Sequence, residues 1–249
     1  MERNQFYSAD LSVLQIKLAW GHLDIMADDV SEIQALIAGD DDTVQELQLR
    51  QEETRLCIEQ PQYGLSLRIN SGKWLQICLR IPKSWAGTLD ANTISGALCA
   101  RGIQCHEVIL DTVSGAMHMQ RVQADALTLR SVSGAITGSS LQATKSYFRT
   151  LSGDITLQDA SLANVHTTTV SGDVSLLCKA PFEAWELQTI SGAQRCNIPC
   201  AQVNVSLSSV TGKLSLQQIT AGETGPRISA TTATGSLTVY GENAEKPLS

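Results

Sequence analysis

Aromatic side chains are scarce, with three Phe, four Trp and four Tyr in 249 residues. They form no row of the kind that stacks on sugars or bases. Positive charge is also short: 18 Lys and Arg stand against 25 Asp and Glu, giving −7 and a pI near 5.1. A chain so acidic is a poor nucleic-acid binder, because that affinity rests on neutralising phosphates. No stretch approaches the roughly 20 apolar residues a membrane-spanning helix needs, so no membrane insertion is expected. The polar start Met1-Glu2-Arg3-Asn4-Gln5 leads into no apolar segment of secretory type. The seven cysteines are odd in number and lack a Cys-x-x-Cys spacing, as expected of reduced thiols in a cytoplasmic protein.

What the chain does have is a ladder of small dipeptides. Ser95-Gly96, Ser114-Gly115, Ser133-Gly134, Ser152-Gly153, Ser171-Gly172 and Ser191-Gly192 are followed by Thr211-Gly212 and Thr234-Gly235. The first five glycines are spaced by 19 residues and the later ones by 20, 20 and 23. A fixed period near 20 means one structural unit stacked on copies of itself.

Counting each unit from the first residue of Thr112-Val113-Ser114-Gly115, position six is Leu98, Met117, Ile136, Ile155, Val174, Gln194, Leu214 and Leu237. Position eight is mostly apolar as well, and position seven is mostly polar. This alternation belongs to a strand with one buried face. A second alternating pair recurs at positions sixteen and eighteen, as in Val108/Leu110 and Leu127/Leu129. Position two is also apolar: Ile94, Val113, Val132, Leu151, Val170, Ile190, Val210 and then Ala233. Positions two, six and eight are therefore expected in the core, with Gln194 as the one anomaly. No unit carries the spacing of an amphipathic helix. The glycine marks a corner that needs either a positive φ or close backbone approach. The fold class expected is all-β, a single-stranded parallel β-helix (β-solenoid) with coils of about 19 residues.

Residues 1–89 read as an N-terminal strand segment capping the solenoid, 90–241 as solenoid repeats, and 242–249 as a polar tail. In the first segment, Leu11–Leu18 and Leu23–Ile25 about Trp20-Gly21-His22 suggest a hairpin. Leu47-Leu49 and Leu56–Ile58 suggest a second one. Gly39-Asp40-Asp41-Asp42 is a turn signal, Gln60–Gly64 and Asn70–Lys73 read as loops, and Trp74–Ile81 reads as a strand stopped by Pro82. The last repeat, Thr232–Tyr240, stops after half a coil and is expected to form an open end. A weak homodimer through the C-terminal solenoid end follows from that expectation, with the cap preventing a filament.

Leu11–Ile25, Leu79-Arg80-Ile81-Pro82-Lys83 and the repeated Ser-Gly-Asp/Ala motif are similar to a bacterial "putative adhesin" domain family of unknown function. Ser152-Gly153-Asp154-Ile155 and Ser171-Gly172-Asp173-Val174 carry the resemblance most clearly, and it spans roughly residues 10 to 241. It implies a β-helix with links to the bacterial envelope and no known chemistry. Ala follows the Gly in four repeats, and the chain shows no export signal.

Stacking makes residues 19 apart into neighbours, so candidate chemistry is sought at that spacing. Asp154 and Asp173 could form a carboxylate pair for acid–base work or Ca²⁺. Cys99 and His118 could begin a dyad or a metal site. Both pairs are read as surface or core residues: the other repeats place Ala, Lys or Ser at the Asp position, and Thr137, Thr156 and Ser175 continue the Cys99–His118 row. No catalytic, cofactor-binding or metal residue is assigned, and no cofactor is expected. The function expected is a non-enzymatic scaffold or interaction protein, adhesin-like and envelope-associated by resemblance. The alternatives are a self-polymerising solenoid resembling the bactofilins and a carbohydrate-active β-helix enzyme.

Overall fold

The computed structural model describes residues 1–61 and 72–241. The loop expectations at Gln60–Gly64 and Asn70–Lys73 fall largely outside them. The repeats stack in parallel at the expected register, and each coil contributes one rung to each of two sheets. In the sheet of short strands Met117 lies between Leu98 and Ile136, and Ile155 between Ile136 and Val174. In the sheet of longer strands Leu129 lies between Leu110 and Phe148. Positions six and eight fill the space between the sheets. Met117, Ile136, Ile155 and Val174 are fully buried, as are Leu127 and Leu129 from the opposite wall.

The recurring glycines stand at one corner of every coil, and close approach is what requires them. A Cβ on Gly115 would lie 1.7 Å from the Gly96 carbonyl oxygen, and one on Gly134 would lie 1.8 Å from that of Gly115. The column extends to Gly21, whose carbonyl lies 1.8 Å from a Cβ built on Gly96. Positive φ recurs at the opposite corner, at Gly102 (66°), Arg121 (51°), Ser140 (54°), Asp159 (55°) and Gln218 (55°), whereas in the glycine column it occurs at Gly21 (121°) and Gly192 (145°). There a left-handed residue turns the chain from the short strand toward the next long one. A side chain has room there: the nearest atom to a Cβ on Gly102 would lie 4.0 Å away, and the other four residues are not glycine.

Parallel stacking begins within the segment read from the sequence as a cap. Val13–Trp20 pairs in parallel with Thr88–Ser95 on one side and with Arg55–Glu59 on the other. His22–Asp28 pairs in parallel with Leu98–Arg101 and with Leu75–Pro82. The hairpin expected about Gly21 is therefore corrected: these two strands belong to opposite sheets, and Gly21 is a corner glycine of the column. The second hairpin is present, with Gln48–Glu52 antiparallel to Arg55–Glu59. Beyond Leu75–Pro82 the sheet continues antiparallel through Ile33–Gly39 to Glu2–Tyr7. The acidic turn signal opens a short helix, Asp41–Glu46, which buries Val44.

The last repeat is placed differently from its expected position. Arg227–Thr232 lies between Ala184–Ser191 and Gln202–Ser209. Ser236–Tyr240 lies likewise between Ala193–Asn197 and Leu214–Gln217. Leu237 and Val239, expected at an open end, are fully buried with a layer on either side. The outermost rung is instead formed by residues 202–217, where Leu214 at position six is exposed. Gln194 sits in the core against Val174 and Leu237, with neither amide atom hydrogen-bonded.

Two stability measurements follow. Gly134→Ala is expected to cost about 3 kcal/mol or more because backbone must move. Gly102→Ala, a left-handed residue in open space, is expected to cost about 1–2 kcal/mol. Urea unfolding of both variants checks the order, and equal losses would remove close approach as the cause. Gln194→Leu is expected to gain about 1–3 kcal/mol, since it replaces unsatisfied buried polar atoms with a hydrocarbon. A lower urea midpoint for that variant would mean the amide is satisfied in solution.

Candidate binding face at the glycine corner

The corner is built from a buried hydroxyl outward. Thr112, Ser131, Thr150, Ser209 and Thr232, at position one, accept hydrogen bonds from the amides of Gly115, Gly134, Gly153, Gly212 and Gly235 at 2.6–2.9 Å. To reach those amides the hydroxyl must point inward, and alternation then turns position two outward. The expectation that position two is buried is thus corrected. Ile94, Val113, Val132, Leu151, Val170, Ile190 and Val210 are all exposed, from 36% at Val170 to 83% at Val210. The signal was present in the sequence: extending the alternation from Val108 and Leu110 lands on Thr112, not Val113. Apolar character alone had suggested the opposite.

The ladder is held in register from behind. Ser114, Ser133, Ser152 and Ser191 each donate their hydroxyl to the position-two carbonyl of the preceding coil, at 3.2–3.4 Å. Successive apolar side chains therefore project from one edge at the strand spacing of about 4.8 Å. Ile94, Val113, Val132, Leu151 and Val170 border a shallow groove of about 640 Å³, whose other wall carries Lys17, Asp111, Arg130 and Arg149. Arg130 meets Asp111 through two bonds, Nε–Oδ1 at 2.5 Å and Nη2–Oδ2 at 2.7 Å. Arg149, one coil further on, makes no ion pair among the described residues and offers the groove a free cation.

The residue pairs singled out from spacing are brought together, but in structural roles. Asp154 accepts the Asp173 amide at 2.9 Å, and Asp173 accepts the Ala193 amide at 2.7 Å and Arg195 at 2.9 Å. These carboxylates tie one coil to the next. Burial would raise the Asp173 carboxyl pKa, but the Ala193 amide and Arg195 guanidinium outweigh it and hold it below the usual value.

Cys99 and His118 stand opposite each other in register. The His118 Nδ1 lies 2.6 Å from Thr137 Oγ1, one coil beyond. Burial, assisted by the nearby Asp24 carboxylate, pushes the Cys99 thiol up, away from the thiolate a nucleophile requires. Burial pushes Cys105 up to about 12 and raises Cys196 further. None of the seven cysteines forms a disulfide. Among the described residues no group of three or more His, Cys, Asp or Glu side chains is arranged to hold a metal ion. Among them, too, no helix is long and apolar enough to cross a membrane.

The family model for Toastrack DUF4097 matches residues 12–241, from the first parallel rung to the end of the described chain. The chain belongs to the Toastrack DUF4097 family. This family character agrees with the resemblance carried by the Ser-Gly-Asp repeats. Several solved structures share the fold over nearly their whole length. One is described as a "putative lipid binding protein" from Parabacteroides distasonis, with 16% identity and a TM-score of 0.62 over 97% of this chain and 96% of that one. Another is a "putative adhesin" from the same organism, with 14% identity and a TM-score of 0.61 over 97% of each chain. A third is a "putative adhesin" from Bacteroides fragilis, with 13% identity and a TM-score of 0.57 over 97% and 96%. At these identities the likeness is one of fold. No functionally curated protein matches the chain.

The carboxylate ties give a pH prediction. The Asp173 pKa is lowered on folding, so its contribution is complete above the ordinary Asp value and disappears as pH falls through the folded value. Asp173→Asn is expected to lose up to about 1 kcal/mol at neutral pH, the half-exposed pair being screened by solvent. The difference from wild type should begin to narrow near about pH 4 and close only below the lowered folded value. Urea midpoints at neutral and acid pH measure it, and a gap that persists in acid would place the effect elsewhere.

Proposed function

We propose that this Toastrack chain is a non-enzymatic, adhesin-like binding protein that engages an elongated component of the bacterial envelope along its corner ladder. The observation that carries this reading is the row of exposed aliphatic side chains at position two. Singly exposed apolar residues are ordinary, but a contiguous stripe fixed to a rigid scaffold is characteristic of an interaction surface. The stripe repeats in register from coil to coil, which favours an extended partner over a compact one. Arg149 and Lys17 beside it favour a partner that carries negative charge near its apolar part.

The non-enzymatic reading is supported by the roles of the residues that chemistry would have needed. Asp154 and Asp173 are occupied with backbone amides, and Cys99 is held as a thiol. The names given to the structures sharing the fold, adhesins and a lipid-binding protein, are of the same kind. A polymerising solenoid is supported less, because the N-terminal rungs end in antiparallel strands that carry charge, Glu2–Tyr7 and Gln48–Glu52.

The test is co-sedimentation of the purified protein with bacterial envelope fragments. Both substitutions in Val132→Lys/Leu151→Lys lie on exposed side chains, so the thermal unfolding temperature should be nearly unchanged. Retention on the fragments is expected to fall at least about tenfold, a loss of about 1.4 kcal/mol in binding. Equal retention of the two proteins, or retention of neither, would show that the ladder is not the binding edge.

A further inference from the structure

The two ends of the stack are finished in different ways. At the N-terminal end the last strands among the described residues are Glu2–Tyr7 and Gln48–Glu52, each paired on one side by another described strand. Each carries a charged pair, Glu2 with Arg3 and Arg50 with Glu52. Charged side chains on a short, antiparallel edge are a common guard against further strand pairing.

The C-terminal end lacks such a guard. Gln202–Ser209 pairs inward with Arg227–Thr232, and Thr220–Ala221 covers only Gln202 and Val203 on the outer side. Asn204 donates its amide inward to the Pro226 carbonyl at 2.9 Å. Alternation then turns the backbone groups of Leu207 outward, where no described strand meets them. In the other sheet Leu214–Gln217 pairs, among the described residues, only with Ser236–Tyr240. From Ala201 to Gly222 the sequence holds a single charge, Lys213, and no proline. The core behind this edge is incompletely covered: Val205, Leu207, Leu216 and Ile219 are half-buried, and Leu214 is exposed. The counterparts of Val205, Leu207, Leu214 and Leu216 one rung inward, Ile228, Ala230, Leu237 and Val239, are buried.

We propose that this edge pairs with the same edge of a second copy, closing a two-fold dimer in which Asn204–Ser209 runs antiparallel to its equivalent. Outward backbone groups are satisfied best by another strand, and an almost uncharged, half-covered apolar layer is matched by another of the same composition. The alternative cover is residues 242–249, but that sequence offers Leu248 as its one sizeable apolar side chain beside Glu242, Glu245 and Lys246. The two-fold uses the open edge of both copies, so assembly stops at two. This inference does not rest on the corner ladder, which lies on a different face.

Analytical ultracentrifugation of the full chain from micromolar to submillimolar concentration is the test. Wild type is expected to shift from monomer to dimer with concentration. Ser206→Lys/Ser208→Lys puts like charges on the exposed face of both edge strands and is expected to remain monomeric, with unchanged circular dichroism and thermal unfolding. A wild type that is monomeric throughout would overturn the proposal. So would a dimer that persists in the double variant, which would place the contact elsewhere. A chain ending at Gly241 that dimerises when the full chain does not would identify the tail as the cover, and would overturn it as well.

Discussion

The structure depends on how closely successive coils approach at one corner. From Gly21 to Gly212 the column places each glycine α-carbon where any side chain would strike the carbonyl of the coil beneath. That contact sets the stacking distance at the corner and the register of both sheets. The hydroxyl at position one follows from it, because at five of the corners the glycine amide leaves the ladder and takes an acceptor inside the coil. The apolar ladder follows in turn, since an inward hydroxyl leaves the next side chain no direction but outward. One steric constraint thus links the buried core, the polar corner and the exposed stripe.

The same chain of dependence shows how evenly structure and surface are separated in this protein. Residues that look chemically promising are absorbed by the stack: Asp154 and Asp173 bond between coils, and His118 reaches a threonine hydroxyl. The stripe, by contrast, contributes little to the stack. Its aliphatic side chains lie outside the core and would be replaced by polar ones at small cost to stability. Large hydrocarbon kept exposed at six consecutive corners, from Ile94 to Ile190, therefore calls for an explanation outside folding, and contact with a partner supplies one.

Much of the fold was legible because the repeat is local. The 19-residue spacing fixed which residues are neighbours, and the alternation at positions six, eight, sixteen and eighteen identified the two inner walls. What was misread depended on information a period does not carry. Val113 looks like a core residue until the inward hydroxyl of Thr112 is taken into account. Gly21 looks like a hairpin turn because its partner, Gly96, lies 75 residues away. Both chain ends contribute internal rungs, and nothing in local composition distinguishes an internal rung from a terminal one. The 23-residue step before Gly235 marks the passage from the outermost rung back inward, but a spacing gives length without direction. The apolar residues at position two were picked out correctly and placed on the wrong side of the wall.

The placement of the last repeat also changes how the stack can come apart. In a solenoid wound strictly in order, the final coil can peel away by releasing one ladder, and shortening the chain simply removes rungs from the end. Here the segment 227–240 is clasped between two others, so detaching it breaks hydrogen bonds on both flanks in both sheets. The Val13–Asp28 segment is clasped in the same manner near the opposite end. A tensile load applied through either segment meets two sheared ladders at once instead of a single unzipping edge. Deleting residues 227–240 would excise a middle layer and leave 202–217 without the rung it rests on. The stack is therefore locked near both extremities.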